Sequence, residues 1–301
     1  MDAQLTTTME LAFAQEATLG ECAQWHRGRW WWTDIEGSAL HSWATGDAQA
    51  VTVKLPARLG AFAHTRSGRV LLGLAKRLAL ADLDGSSAQL QALVPVDAAE
   101  ARTRVNDGRT DRRGFFVFGT MNEVAEERRA IGSFYQYSMQ HGLRRLALPT
   151  AAIANSICFS LDGGTMYFCD TVTRLIQQCD YDAETAQVAN IRPFAVVETR
   201  HAWPDGSVID ADGCLWNAQW GAGQVVQYAA DGTAMRVVRV PVKNTSCPAF
   251  GGDDLRTLMV TTARQELGRE ELAAMPLSGS LFSVTLSDAR GVPSVLFDDA
   301  P

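Results

Sequence analysis

Six units of similar design follow one another along this 301-residue chain. Each opens on a small or polar residue, turns at Gly or Asp-Gly, and continues as an apolar, aromatic strand. The starts fall at Glu21, Gly60, Asn106, Asn155, Asp205 and Ser246, roughly 40 to 50 residues apart, which is the range of blade-type repeats. Segments such as TMYFCDT, GCLWNAQW and GQVVQY are rich in β-branched and aromatic residues, as strands are. Asp162–Gly164, Asp212–Gly213 and Asp231–Gly232 suit tight hairpins between them. Three or four short strands per unit, six times over, predict an all-β, six-bladed β-propeller filling residues 1–301 as one domain. The first fifteen or so residues are expected to supply a strand that closes the ring. Helix signals are few. The best is Gln265 to Ala274, with Val124 to Arg129 as a second short possibility.

At 47% hydrophobic and 20% charged residues the chain can bury a large core. Its net charge of −7 leaves no electrostatic footprint for nucleic acid or an anionic membrane. Nor does any apolar run reach the length that spans a bilayer. The start MDAQLTTTMELAFAQ has neither a basic n-region nor a proper h-region, so no secretory signal is read there and a cytoplasmic location is expected. The six cysteines form no CxxC pair and mostly sit in apolar strands, which reads as buried free thiols. Cys22, Cys158 and Cys247 fall on inner-strand positions, where a soft metal is the less favoured alternative.

The chemistry concentrates in three segments: LGECAQW, IANSICFSLDG and WPDGSVIDADG. Each puts an oxygen-bearing side chain, Glu21, Asn155 or Asp205, at the start of a unit. In a propeller the innermost strand of every blade lines the central channel, so these starts cluster at one mouth. Glu, Asn and Asp form a hard-oxygen set that suits a divalent cation. Asn and Asp also open strands because they cap turns, which accounts for Asn155 and Asp205 but poorly for Glu21. The corresponding starts of the remaining units are Gly60, Asn106 and Ser246. In RVNDGRTD, Arg104 and Asn106 lie at the inner end of the third unit. Arg104 can grip ligand oxygens through its fork of donors, or pair with Asp107 or Asp111.

GxSxG, HExxH and P-loop motifs are all missing, so serine hydrolase, zincin and NTPase readings lack their signatures. The five histidines are scattered, and His201, near Asp205, is the one worth watching. The aromatic run in RWWWTDI reads as a core strand packing one blade on the next, with a carbohydrate-stacking platform as the alternative.

Taken in order, LGECAQW…WWTDIEG, RVNDGRTD…FGTM, NSICFSLDGGTMYFCDT and PDGSVIDADGCLWNAQWGAGQVVQY resemble the successive signatures of the gluconolactonase family, which includes regucalcin (senescence marker protein). The resemblance spans nearly the whole chain. It implies a six-bladed propeller, one divalent metal at the channel mouth (Ca, Zn, Mn, Mg or Fe(II)) and hydrolysis of a sugar lactone, such as a gluconic, galactonic, arabinonic or xylonic lactone. Carried over by position, Glu21, Asn155 and Asp205 match the metal ligands, and Asp205 also matches the proposed general base. Arg104 and Asn106 match substrate-contacting positions. The chain departs from the family at Cys22-Ala23, where GEGP is common. It departs again at Ser156-Ile157, in place of NGL, and at Val124 after Glu123, where a further acidic residue is common. A monomer or weak homo-oligomer is expected. The rivals are a broader metal-dependent esterase or phosphotriesterase, and a non-catalytic calcium-binding or YWTD-like propeller.

Overall fold

The computed structural model describes residues 7–124 and 128–300. Six twisted sheets, antiparallel but for one added edge strand, stand around a central channel. The innermost strands are Gly20–His26, Leu59–His64, Thr103–Thr110, Ala154–Phe159, Trp203–Ile209 and Thr245–Gly251, in blades one to six. Each packs on the next, and the sixth packs on the first. The protein is a six-bladed β-propeller.

The sixth blade supplies three strands of its own. Its fourth and outermost is Glu10–Phe13, which pairs antiparallel with Leu281–Thr285. The N-terminal segment therefore closes the ring, as the sequence predicts. An addition the sequence does not show is Thr7–Thr8, which pairs in parallel with Ala234–Arg239 on the outside of the fifth blade.

Blades bury both faces against their neighbours, so their inner strands read as continuous apolar runs; Val70–Leu74 is buried at every residue. Trp30, Trp32 and Trp43 of the first blade pack on Cys247, Ala249, Met259 and Leu281 of the sixth. Trp31 points to the other face and joins the core between the first and second blades. The RWWWTDI run is therefore inter-blade core, not a ligand platform. Trp216, Phe62, Phe116, Phe168 and Phe282 are fully buried between blades. Each such side chain contributes roughly 1.5–3 kcal/mol. The Asp-Gly turns form where expected, with Gly163, Gly213 and Gly232 at φ of 76°, 81° and 84°, a region that disfavours other residues.

Among the described residues the α-helix is confined to Arg269–Ala274, shorter than the expected Gln265–Ala274. Gly268 marks its start, and the Glu271 carboxylate accepts from Gly268 N at 3.1 Å. Of the second expected helix, Val124, Arg128 and Arg129 are non-helical and positions 125–127 lie outside the described residues.

The end of the channel away from the repeat starts is closed by the C-terminal segment. Gly291 bridges to Asp210, Phe297 bridges in parallel to Thr65, and Asp298 N donates to Gly114 O at 3.0 Å. This strap thereby ties the fifth, second and third blades together.

Candidate active site at the channel mouth

All six innermost strands carry a bulge at the same place. One extra residue enters between Glu21 and Gln24, Leu59 and Ala61, Val105 and Gly108, Asn155 and Cys158, Pro204 and Ser207, and Thr245 and Pro248. A bulge bends its strand and re-aims the side chains beside it. Here the bulges ring the mouth. The pairing also separates residues that sequence spacing puts in register. Glu21 and Asn155 are the last paired residues before their bulges, whereas Asn106 and Asp205 are the first inside theirs. The stagger is one residue, and all four still reach one cavity of about 450 Å³, with Arg104 beside them. Two bulges hold non-glycine residues in the left-handed region, Cys22 at φ 52° and Ser156 at φ 60°. In the second blade the corresponding residue is Gly60, because a Cβ there would lie 2.3 Å from Val105 O.

A line of hydrogen bonds orients the donors. Arg104 Nη1 donates to Asn106 Oδ1 at 2.7 Å and to Val105 O at 3.0 Å. Asn106 Nδ2 donates to Asn155 Oδ1 at 3.0 Å, and Asn155 Nδ2 to Thr171 Oγ1 at 2.9 Å. Thr171 Oγ1 in turn donates to Pro204 O at 2.9 Å, one residue before Asp205. The Asn155 amide is thus fixed with its nitrogen engaged and one Oδ1 lone pair to spare.

Behind Asp205 lies a buried polar knot. Ser156 Oγ donates to Asp205 O at 2.7 Å. Asn217 Nδ2 reaches Asp205 O, Ser207 Oγ and Ser156 Oγ at 3.0, 3.0 and 3.1 Å, and Gly206 O at 3.3 Å. Asn217 Oδ1 has no hydrogen-bond partner among the described residues.

The two carboxyl groups of Glu21 and Asp205 face each other within hydrogen-bonding range. Burial pushes Glu21 well above the usual carboxylate range, and Asp107 adds to the shift. Burial likewise raises Asp205, with Glu21 and Asp107 reinforcing it. Asp107, also buried, accepts from Ile157 N at 2.8 Å deeper in the channel. Burial pushes Arg104 down to about 10, which leaves it charged at neutral pH. Its relief of Glu21 is smaller than any of the other effects on that group. Two desolvated carboxylates side by side are relieved either by sharing a proton or by a positive charge between them. With the Asn155 oxygen they make an all-oxygen set that fits a divalent cation.

The sequence singles out Glu21, Asn155, Asp205, Arg104 and Asn106, and the fold brings all five to this cavity. It does not bring His201, which is exposed and absent from the lining. Cys22, Cys158 and Cys247 are buried free thiols. Motif reading missed Glu36, Arg58, Thr171, Trp203 and Trp220, which also line the mouth. Glu123 lines it too, ion-paired to Arg58 and 3.8 Å from Arg104 Nε.

Fold and mouth together define a propeller with a carboxylate-rich pocket at one end of its channel. The chain belongs to the SMP-30/Gluconolactonase/LRE-like family, whose model matches residues 19–264. It is 45% identical to the L-arabinolactonase of Azospirillum brasilense over 287 residues, covering 94% of this chain and 93% of that one. It is 30% identical to the 6-deoxy-6-sulfogluconolactonase of Pseudomonas putida, covering 94% and 96%. Among solved structures, a calcium-binding protein, regucalcin, from Agrobacterium tumefaciens superposes with a TM-score of 0.88 at 30% identity, covering 97% and 99%. No helix among the described residues is long and apolar enough to cross a membrane.

Proposed function

We propose that the protein hydrolyses the ring ester of a sugar lactone to the open aldonic acid, with one divalent cation held by Glu21, Asn155 and Asp205. The observation that carries this reading is the meeting, in one cavity of about 450 Å³, of two buried carboxylates, an oriented amide oxygen and a buried guanidinium. Relatives named as lactonases support it, and the L-arabinolactonase at 45% identity favours a five-carbon lactone among those to be tried first.

A cation bound there supplies Lewis acidity, polarising the ester carbonyl and lowering the pKa of nearby water. Every other task falls to the chain. Glu21 and Asp205 supply the negative charge that retains the cation. The hydrogen-bond line from Arg104 to Thr171 holds Asn155 Oδ1 in place. Arg104 and Asn106 are placed to hold sugar hydroxyls, and many such contacts set specificity. Asp205 takes the proton from the attacking water and returns it to the ring oxygen as the C–O bond opens. The tether of Asp205 O to Ser156 keeps that carboxylate at a fixed height in the mouth.

We read residues 1–301 as a single propeller domain, monomeric or weakly self-associating, acting in the cytoplasm. Six free cysteines agree with a reducing compartment. The test is pH-stat hydrolysis of pentono- and hexono-lactones, alongside aryl esters and phosphotriesters. The protein is first stripped of metal, and Ca, Zn, Mn, Mg or Fe(II) is then returned singly. Lactone turnover should vanish on stripping and return with at least one cation. Failure to cleave any lactone sinks the activity, and full turnover without a cation sinks the metal. Glu21→Ala should fold normally and lose its metal complement by elemental analysis; full retention shows that Glu21 is not a ligand.

A further inference from the structure

The rim of the mouth is dense in charge, and every guanidinium on it among the described residues is already engaged. Arg58 sits between two carboxylates, with Glu36 Oε1 at 3.4 Å from its Nη1 and Glu123 against its Nη2. Arg128 pairs with Glu266 at 3.9 Å. Arg104 bonds to Asn106 and Val105, lies 3.8 Å from Glu123, and feels Glu36 as the strongest of its charged neighbours. Among the described residues, five carboxylates line this cavity (Glu21, Glu36, Glu123, Asp205 and Glu266) against three guanidiniums (Arg58, Arg104 and Arg128). The balance is −2, which a divalent cation brings to zero.

We propose that Glu36 and Glu123 are specificity-determining residues: by pairing with Arg58 they withhold its charge from a ligand and turn their own negative field on the bound ring, so that the mouth accepts an uncharged polyol lactone and rejects one bearing an anionic substituent. The proposal rests on the lactonase reading and narrows it. Glu36 and Glu123 are each about a third exposed or less, at 32% and 26% of the side chain, so their fields act on a bound ring with partial screening. An anionic group on the ring, a carboxylate or a sulfonate, would meet two carboxylates and a guanidinium, Arg58, already paired to both. A hydroxyl in the same place can donate to either carboxylate, and Arg58 holds both steady for it. In this the chain would differ from its relative named for a sulfonated gluconolactone.

The experiment uses pairs of lactones identical except for a terminal CH₂OH against a carboxylate or sulfonate. It measures kcat/KM for each in low salt with the protein cation-loaded. The wild type should prefer the neutral member at least tenfold, less so at high salt. Glu36→Gln/Glu123→Gln, which keeps shape and removes two charges, should move the ratio about tenfold toward the anionic member. Arg58→Gln should not move it that way. Calorimetric titration with the hydrolysis-resistant lactams of the same pairs reads the mouth without turnover. A protein that cleaves no lactone would thus refute the activity, while the lactam affinities would still test the rim. Equal or tighter binding of the anionic member by the wild type overturns the proposal. So does a double variant that changes both members of a pair alike, which is the mark of a merely structural role.

Discussion

Replacing Asn217 with leucine separates what holds the fold from what holds the site. The two N–H groups of Asn217 serve four acceptors at 3.0 to 3.3 Å, and three of these belong to the bulge that carries Asp205. Leucine has nearly the same volume and forfeits about two net hydrogen bonds, roughly 1–3 kcal/mol together. Asp205 O keeps its bond from Ser156 Oγ, so it is not stranded. The substitution also removes Asn217 Oδ1, a buried acceptor with no partner among the described residues, whose desolvation penalty is about 1–3 kcal/mol. The two effects nearly cancel, so Asn217→Leu should unfold in urea within about 1–2 kcal/mol of wild type. Its bulge, however, loses the three contacts that Asn217 makes to it. A carboxylate misplaced by about 1 Å lowers turnover by up to roughly 10²-fold. The expected result is therefore a little-changed urea midpoint with kcat down at least tenfold and KM little altered, in protein shown to be cation-loaded. Wild-type kcat would refute the tether. A loss of stability beyond about 4 kcal/mol would refute the cancellation.

Asp205→Asn keeps the shape and one donor oxygen but removes the base. Metal-loaded, it should lose about 10²–10⁴ in kcat, and near wild-type turnover would show that Asp205 moves no proton. Gly60→Ala drives a Cβ to 2.3 Å from Val105 O, on the strand that presents Arg104 and Asn106. It should destabilise by about 3 kcal/mol and raise KM, and a variant as stable as wild type in urea would contradict the packing. His64 and His41 are kept neutral by burial, which lowers them to about 3 and about 4 from 6.5. Below pH 6.5 the unfolded chain then binds more protons than the folded one. Stability from these groups is complete above that pH and falls as pH drops toward the folded values, by about 2 kcal/mol for each at pH 5. Glu21 and Asp205, raised by burial, push the other way in cation-free protein, so the measurement is the difference between wild type and His64→Phe in urea at pH 7.5 and pH 5. If the two lose equal stability on acidification, the histidine linkage is wrong.

Blade number and channel mouth are legible because they rest on local chemistry that repeats. Asp-Gly turns need a left-handed glycine, and apolar strands need two buried faces. Polar starts such as Asn155 and Asp205 stand out against that background. The one-residue stagger between Glu21 and Asp205 is hidden, because a bulge is a property of two paired strands and leaves no residue signature in either. Arg58 and Glu36 are hidden for another reason. They belong to the loops beside the first and second blades, and nothing in their own neighbourhoods marks them as facing a cavity built mostly by later blades. Asn217 reads as one more residue of an apolar strand, since its partners lie across the bulge and in the preceding blade. The helix expected over Gln265–Ala274 begins late because Gly268, a poor helix former, stands as its N-cap and leaves Gln265–Leu267 outside.

Closing the sixth blade with Glu10–Phe13 also has a temporal side. Those four residues leave the ribosome five blades ahead of their partner strand, Leu281–Thr285. At about 5–20 residues per second the early strand waits on the order of 15–50 s for its mate. For that interval the nascent chain carries an unpaired strand edge at one end and an incomplete sheet at the other, each a template for a second copy. Gln15, just past the early strand, joins Trp32 Nε1 at 2.9 Å and His41 Nε2 at 3.2 Å, both within the first blade. Those contacts need nothing translated after the first blade, so the waiting strand can be parked beside its eventual position while the remaining five blades are made.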